Sequence, residues 1–143
     1  MRKRKTVMRA AARARRAWDQ HVKAVALSEG VSDSYRQVIM FLFHHPGECQ
    51  RAVAEFCGVT ASAVNQAVKS MLEEDYLRKE PSPSDRRSFR LFLTQKGEDA
   101  AQRLFARLYA SDEAITALFG AEREAELIAA LDKLTDFIRE ELH

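Results

Sequence analysis

Apolar residues recur every three or four positions along most of this chain, and a few glycines and prolines interrupt the pattern where helices should end. The first such segment, Val7 to Ser28, is rich in alanine and arginine; it sets Trp18, Val22 and Val25 on one face, and Gly30 ends it. Ser32 can cap a second helix, Asp33 to about His44. Its run VIMFLF (Val38 to Phe43) is so nearly continuous that it must be buried on most sides. Pro46-Gly47 stops that helix. A shorter one, Glu48 to Cys57, carries Ala52, Val53 and Phe56 at helical spacing and closes at Gly58. Thr60 caps the next, Ala61 to about Glu74, whose inward stripe is Val64, Ala67, Val68 and Met71. Two helices joined by so short a turn form a helix-turn-helix candidate.

The period then changes. Tyr76 to Glu80 and Ser88 to Leu93 read as two short strands around the loop PSPSDRR, Pro81 to Arg87. Phe89, Leu91 and Leu93 alternate with Ser88, Arg90 and Phe92, as in a half-buried strand, although Phe92 puts an aromatic ring on the nominally exposed face. A hairpin directly after a helix-turn-helix is a wing. Thr94 caps a long helix to about Phe119, Gly120 breaks it, and a last helix runs from Ala121 to Leu142. There Leu127, Leu131, Leu134 and Ile138 form a coiled-coil-like seam, which suits either a second copy of the chain or packing within one copy. Terminal helices outside a small winged domain lack enough partner surface in one chain, which favours a homodimer. The expected fold is thus mainly α with a small β-hairpin wing. Residues 33–94 form the winged helix-turn-helix, and residues 6–32 and 95–143 form dimerisation helices.

Composition narrows the class. In 143 residues, 46% are hydrophobic and 31% charged, the balance of a globular domain. No apolar run approaches the roughly 18 residues of a membrane span, so no membrane partner is expected. The opening MRKRK is not followed by an apolar stretch of the kind a secretory signal requires, and the two cysteines, Cys49 and Cys57, suit a reducing compartment. A cytoplasmic location is the expectation. Net charge is only +2, but it is segregated. Arg2, Lys3, Arg4, Lys5, Arg9, Arg13, Arg15 and Arg16 lie in a stretch without acids, whereas eleven acids face six basic residues from Gln95 onward. Between Leu77 and Thr94 the balance turns positive again. Such patches point to a polyanionic partner, or to a solvated tail and a charged loop.

The helix after Thr60 is the candidate reading head. Thr60, Ser62, Ala63, Asn65, Gln66 and Lys69 occupy its cap and outward face. Asn and Gln can pair bidentately with the adenine edge, Ser can donate or accept, and Lys69 suits a phosphate. At the wing tip Arg86 and Arg87 could enter a narrow minor groove, where negative potential is focused, while Asp85 could hold the loop by bonding nearby amides or an arginine. The basic amino-terminal stretch could add phosphate contacts.

From Tyr35 to Gly97 the sequence resembles the MarR family of winged helix-turn-helix transcriptional regulators. The resemblance runs from YRQVIMFLFHHPGECQRAVAEFCGVTASAV through MLEEDYLRKEPSPSDRRSFRLFLTQKG. The wing signature of that family is matched by Asp85, Arg87, Leu93, Thr94, Lys96 and Gly97. The resemblance implies a triangular homodimer, with two wings and two recognition helices on a pseudo-palindromic double-stranded DNA operator and repression as the usual mode. It implies that Arg87 enters the minor groove and Asp85 orders the wing. Two departures stand out: the recognition helix lacks the arginine relatives often place near Gln66, and Asp75 replaces the glycine that usually ends that helix.

Many relatives are released from DNA by small aromatic acids, and Trp18, Tyr35, Phe41, Phe43 and Tyr109 could line such a site or be ordinary core. Cys49, expected in a helix's first turn, is a better redox candidate than Cys57. His44, His45 and Cys49 match no common metal-ligand spacing, so no metal and no cofactor is expected. Nor is there a phosphate loop, a nucleophile elbow or an HExxH motif, and no enzyme is expected. The rival function is a winged-helix protein–protein interaction module, toward which Phe92 leans, or an architectural module without a specific operator.

Overall fold

The computed structural model describes residues 4–142, so Arg2 and Lys3 of the basic stretch, and His143, lie outside it. The order is α1 (Val7–Ser28), α2 (Asp33–His44), α3 (Gln50–Cys57), α4 (Ala61–Glu73), β1 (Leu77–Pro81), β2 (Phe89–Leu93), α5 (Gln95–Phe119) and α6 (Ala121–Glu141). Side-chain caps set most of the starts. Thr6 Oγ1 accepts from Arg9 N at 3.3 Å, Ser32 Oγ from Tyr35 N at 3.3 Å, and Thr60 Oγ1 from Ala63 N at 3.1 Å. Each such cap is worth about 1 kcal/mol.

The described residues fall into two compact units, one up to Ala106 and one from Arg107. In the first, α2, α3 and α4 pack on one another and the β1–β2 hairpin closes against α4 and α2. The deepest side chains are Val31, Ile39, Leu42, Val53, Met71, Leu91 and Leu104. The VIMFLF run behaves as its pattern demands: Val38, Ile39, Phe41 and Leu42 are buried, and Phe43 alone is exposed at its end. No polar or charged side chain is buried among the described residues, so this core rests on apolar packing.

The strands pair antiparallel, with Leu77 opposite Leu93, Arg78 opposite Phe92 and Lys79 opposite Leu91. Two sequence expectations change here. α3 starts at Gln50 rather than Glu48, because Gly47 N donates to Leu91 O at 2.8 Å and Leu91 N donates to Glu48 O at 3.0 Å. Residues 47 and 48 therefore pair with the outer edge of β2, and Cys49 becomes the N-cap of α3 instead of a first-turn residue. Phe89 shares a face with Leu91 and Leu93 but is 43% exposed, since the hairpin extends past the core there.

In the second unit the rest of α5 and α6 are joined at Gly120, whose φ of +80° suits glycine. The Thr116 hydroxyl donates to Glu124 Oε1 at 2.8 Å across that turn. None of the described α6 residues is buried.

Candidate nucleic-acid interface

α4 and the wing face each other across an open groove of about 670 Å³. Val68, Leu72, Phe89 and Leu91 give it an apolar floor, while Asn65 and Lys69 enter from α4, Lys79 from β1, and Asp85 and Arg87 from the wing. Gln50 and Arg51 of α3 close one side. Four cations to one carboxylate make the groove electropositive, which suits a polyanion.

On α4 the side chains of Ser62, Ala63, Asn65, Gln66 and Lys69 are all exposed, as is Thr60 at the cap, because the buried stripe Val64, Ala67, Val68 and Met71 fixes the helix's rotation. Asn65 is already oriented: its Oδ1 accepts from Gln50 Nε2 at 3.0 Å, which leaves its amide nitrogen to donate elsewhere. Gln50, Arg51, Lys79 and Phe89 escaped sequence reasoning. Lys79 and Phe89 alternate with their neighbours and were legible in principle, but the Gln50–Asn65 bond links different helices and left no local signal.

The wing loop is tied from inside. Asp85 Oδ1 accepts from Arg87 N at 2.9 Å, Ser88 N donates to Asp85 O at 3.2 Å, and Ser82 N donates to Ser88 O at 3.0 Å. Arg86 and Arg87 are exposed and make no ion pair among the described residues. Phe92, the discordant aromatic, lies between two guanidinium groups, Arg78 at 4.4 Å and Arg90 at 5.2 Å from its ring centroid. Lys79 covers Phe89 in the same way at 4.6 Å. These cation–π contacts keep the wing's rings from forming a bare apolar patch.

Where α4 ends, Asp75 adopts the left-handed conformation at φ +63°. Tyr76 N then donates to Met71 O at 2.8 Å and Asp75 N to Leu72 O at 3.3 Å, a Schellman closure. The Thr94 hydroxyl donates to Asp75 O at 2.5 Å and also accepts from Gly97 N at 3.2 Å. Lys96 Nζ donates to Glu74 O at 2.7 Å and rests 4.3 Å from the Tyr76 ring centroid. The residues that carry the wing signature thus have physical tasks: Asp85 ties the loop, Leu93 is buried, Thr94 and Lys96 satisfy carbonyls, and Gly97 permits close approach.

This arrangement has named counterparts. The model of the MarR family matches residues 29–88, from the end of α1 to the wing. The winged helix-turn-helix of this chain is a MarR-family domain. Over 118 residues, 82% of this chain and 71% of the relative, it is 25% identical to a protein assigned as the transcriptional regulator for the hcr operon of Thauera aromatica. It is 22% identical over 112 residues, 78% of each chain, to the HTH-type transcriptional regulator BilQ of Clostridium symbiosum. Among solved structures, a MarR family transcription regulator superposes with a TM-score of 0.85 at 19% identity, covering 93% of this chain and 88% of that one. The repressor CouR bound to a 23-mer DNA duplex gives 0.73 at 23% identity, covering 91% and 92%. Family and curated relatives together make the chain a DNA-binding regulator of transcription.

The remaining predicted residues spread over the MarR framework. Trp18 meets His21 with tilted rings, Tyr35 meets Tyr76 edge-on, Phe41 contacts His45 and Phe56, and Phe43 contacts His44 and Phe105. Those four aromatics therefore sit in separate ring contacts, and Tyr109, in the second unit, is 65% exposed. Partial desolvation raises the half-buried Tyr35 phenol above its ordinary value, and donation to Glu74 Oε1 at 2.8 Å adds to the shift. Cys57 donates to Gln37 O at 3.8 Å, and burial likewise raises its thiol. Cys49 lines the groove, and no metal-holding cluster of His, Cys, Asp or Glu occurs among the described residues. None of the described helices is long and apolar enough to cross a membrane. Leu127 and Leu131 are 43% and 42% exposed, while Leu134 and Ile138 are half-buried.

Proposed function

We propose that this chain is a homodimeric repressor that binds a pseudo-palindromic operator through α4 and the wing, with no catalytic role. The observation that carries the reading is the shared groove. The outward face of α4 and the wing tip with Arg87 border one electropositive space, so a duplex could be met by both at once. Ser62, Asn65 and Gln66 are the candidate base readers, Lys69 suits a phosphate, Thr60 and Ala63 share the same exposed face, and Arg86 and Arg87 would reach the minor groove from a loop that Asp85 keeps closed. The exposed leucines of α6 support pairing with a second copy, and the likeness to a repressor solved on a DNA duplex supports DNA as the partner. The rival reading, a protein-binding wing, loses its main support because Phe92 is covered by Arg78 and Arg90. Release by a small aromatic acid belongs to this proposal as its regulatory half, and it rests on the family resemblance, since Trp18, Tyr35, Phe41 and Phe43 sit in separate ring contacts.

The test is binding to the DNA upstream of the chain's own gene against a random duplex of equal length, titrated with salt. Preferential binding with a steep salt dependence, weakened by Arg87→Ala, is expected. A dimer that treats both duplexes alike would overturn the operator reading, and a stable monomer would overturn the assembly. If no aromatic acid weakens binding or raises the melting temperature, the effector is withdrawn.

A further inference from the structure

The end of α4 is held from outside by three side chains that touch neither the groove nor the deep core. Lys96 Nζ donates to Glu74 O at 2.7 Å, the Thr94 hydroxyl donates to Asp75 O at 2.5 Å, and the Tyr35 hydroxyl donates to Glu74 Oε1 at 2.8 Å. The rings join in, with Tyr35 meeting Tyr76 at 5.7 Å and Lys96 lying over Tyr76 at 4.3 Å. All three bonds are solvent-exposed, where hydrogen bonds and charges add little to global stability. What they fix is a direction. They come from α2 and from the start of α5, and they converge on two consecutive residues just past the helix.

We propose that Lys96, Thr94 and Tyr35 form a latch that sets the pitch of α4 and so governs selectivity for DNA sequence without touching DNA. The proposal rests on the reading that α4 enters the duplex. The leverage follows from helix geometry. α4 has 13 residues, hence is about 20 Å long, and rocking it by about 10° around its latched end moves its first turn about 3 Å, close to one base-pair rise. A displacement of that size would put Ser62, Asn65 and Gln66 opposite the wrong base edges, whereas contacts to the regular phosphate backbone would largely survive it. Because Thr94 and Lys96 open α5, a shift of the start of α5 would also pull on Glu74 and Asp75. The latch therefore couples α5 to the reading helix.

The test uses the full chain and a duplex that the wild-type protein selects from a randomised library, compared with random duplex across a salt series. Lys96→Met keeps the alkyl stem but removes the donor. It is expected to lower the ratio of selected to random affinity about tenfold, with the slope of log affinity against log salt unchanged and the melting curve nearly so. Lys96→Arg, which can still reach the carbonyl, is expected to restore the ratio. Tyr35→Phe deletes one hydroxyl and should lower it about threefold; it carries the test if Lys96→Met does not fold. An unchanged ratio would overturn the latch. A slope reduced by about one would also overturn it, because Lys96 would then be a phosphate ligand. If the wild-type protein selects nothing, the operator reading fails first and the latch falls with it.

Discussion

Gly97 lies directly under the Tyr76 carbonyl: a Cβ at Gly97 would collide with that oxygen and press on Leu93. Backbone meets backbone there, so the neighbour cannot rotate away as a flexible side chain would. Gly97→Ala is expected to cost about 1–3 kcal/mol in urea unfolding, the range for overpacking. A loss under about 0.5 kcal/mol would mean that the start of α5 can move aside.

Asp75 holds φ at +63° where glycine would be unstrained. Asp75→Gly exchanges relief of that strain for a more flexible unfolded chain, so stability should change by no more than about 0.5 kcal/mol. Asp75→Val, with a β-branched side chain, should lose about 1–3 kcal/mol. Equal stabilities for the two would show that the turn had changed conformation.

Tyr35 predicts an alkaline limb. Burial and the bond to Glu74 raise its phenol above the ordinary value of 10.0 in the folded state. A raised folded value means that its contribution is complete below the unfolded value and disappears as pH climbs through the folded one. Wild type should lose stability above about pH 10 more steeply than Tyr35→Phe, measured by chemical unfolding at successive pH values. Coincident pH curves would sink the assignment.

Arg87 and Asp85 should fail differently. Arg87→Ala removes a cation from the wing tip and is expected to weaken duplex binding about tenfold or more and flatten the salt slope by about one. Asp85→Ala leaves every cation in place but releases the Arg87 amide, so affinity should fall with the slope preserved. Identical salt slopes for Arg87→Ala and wild type would remove Arg87 from the set of DNA contacts.

Leu131 tests the assembly. Leu131→Glu places a charge in the exposed α6 seam and is expected to yield monomers in sedimentation, with operator binding lost and the melting of the winged unit kept. A dimer that tolerates the change would locate the interface elsewhere.

Local chemistry made much of this fold legible. Ser32 and Thr60 cap where their sequence positions suggested, and Gly120 separates α5 from α6. What stayed hidden depends on partners far along the chain. The start of α3 is displaced because residues 47 and 48 pair with Leu91, more than 40 positions away. Phe92 looked exposed because only the strand register brings Arg78 beside it. The candidate site was legible by residue type, in Asn65, Lys69 and the wing arginines. Its preparation was not, since Gln50 reaches Asn65 from another helix and Lys96 reaches Glu74 across the hairpin.

The pairing of residues 47 and 48 with Leu91 has a consequence for solubility. An unpaired strand edge invites other chains to extend the sheet. That side of β2 is taken up by the chain's own loop, and β1 presents Arg78, Lys79 and Glu80 and ends in Pro81, which has no amide hydrogen to donate. A wing whose two edges are occupied or charged in this way is a poor template for aggregation.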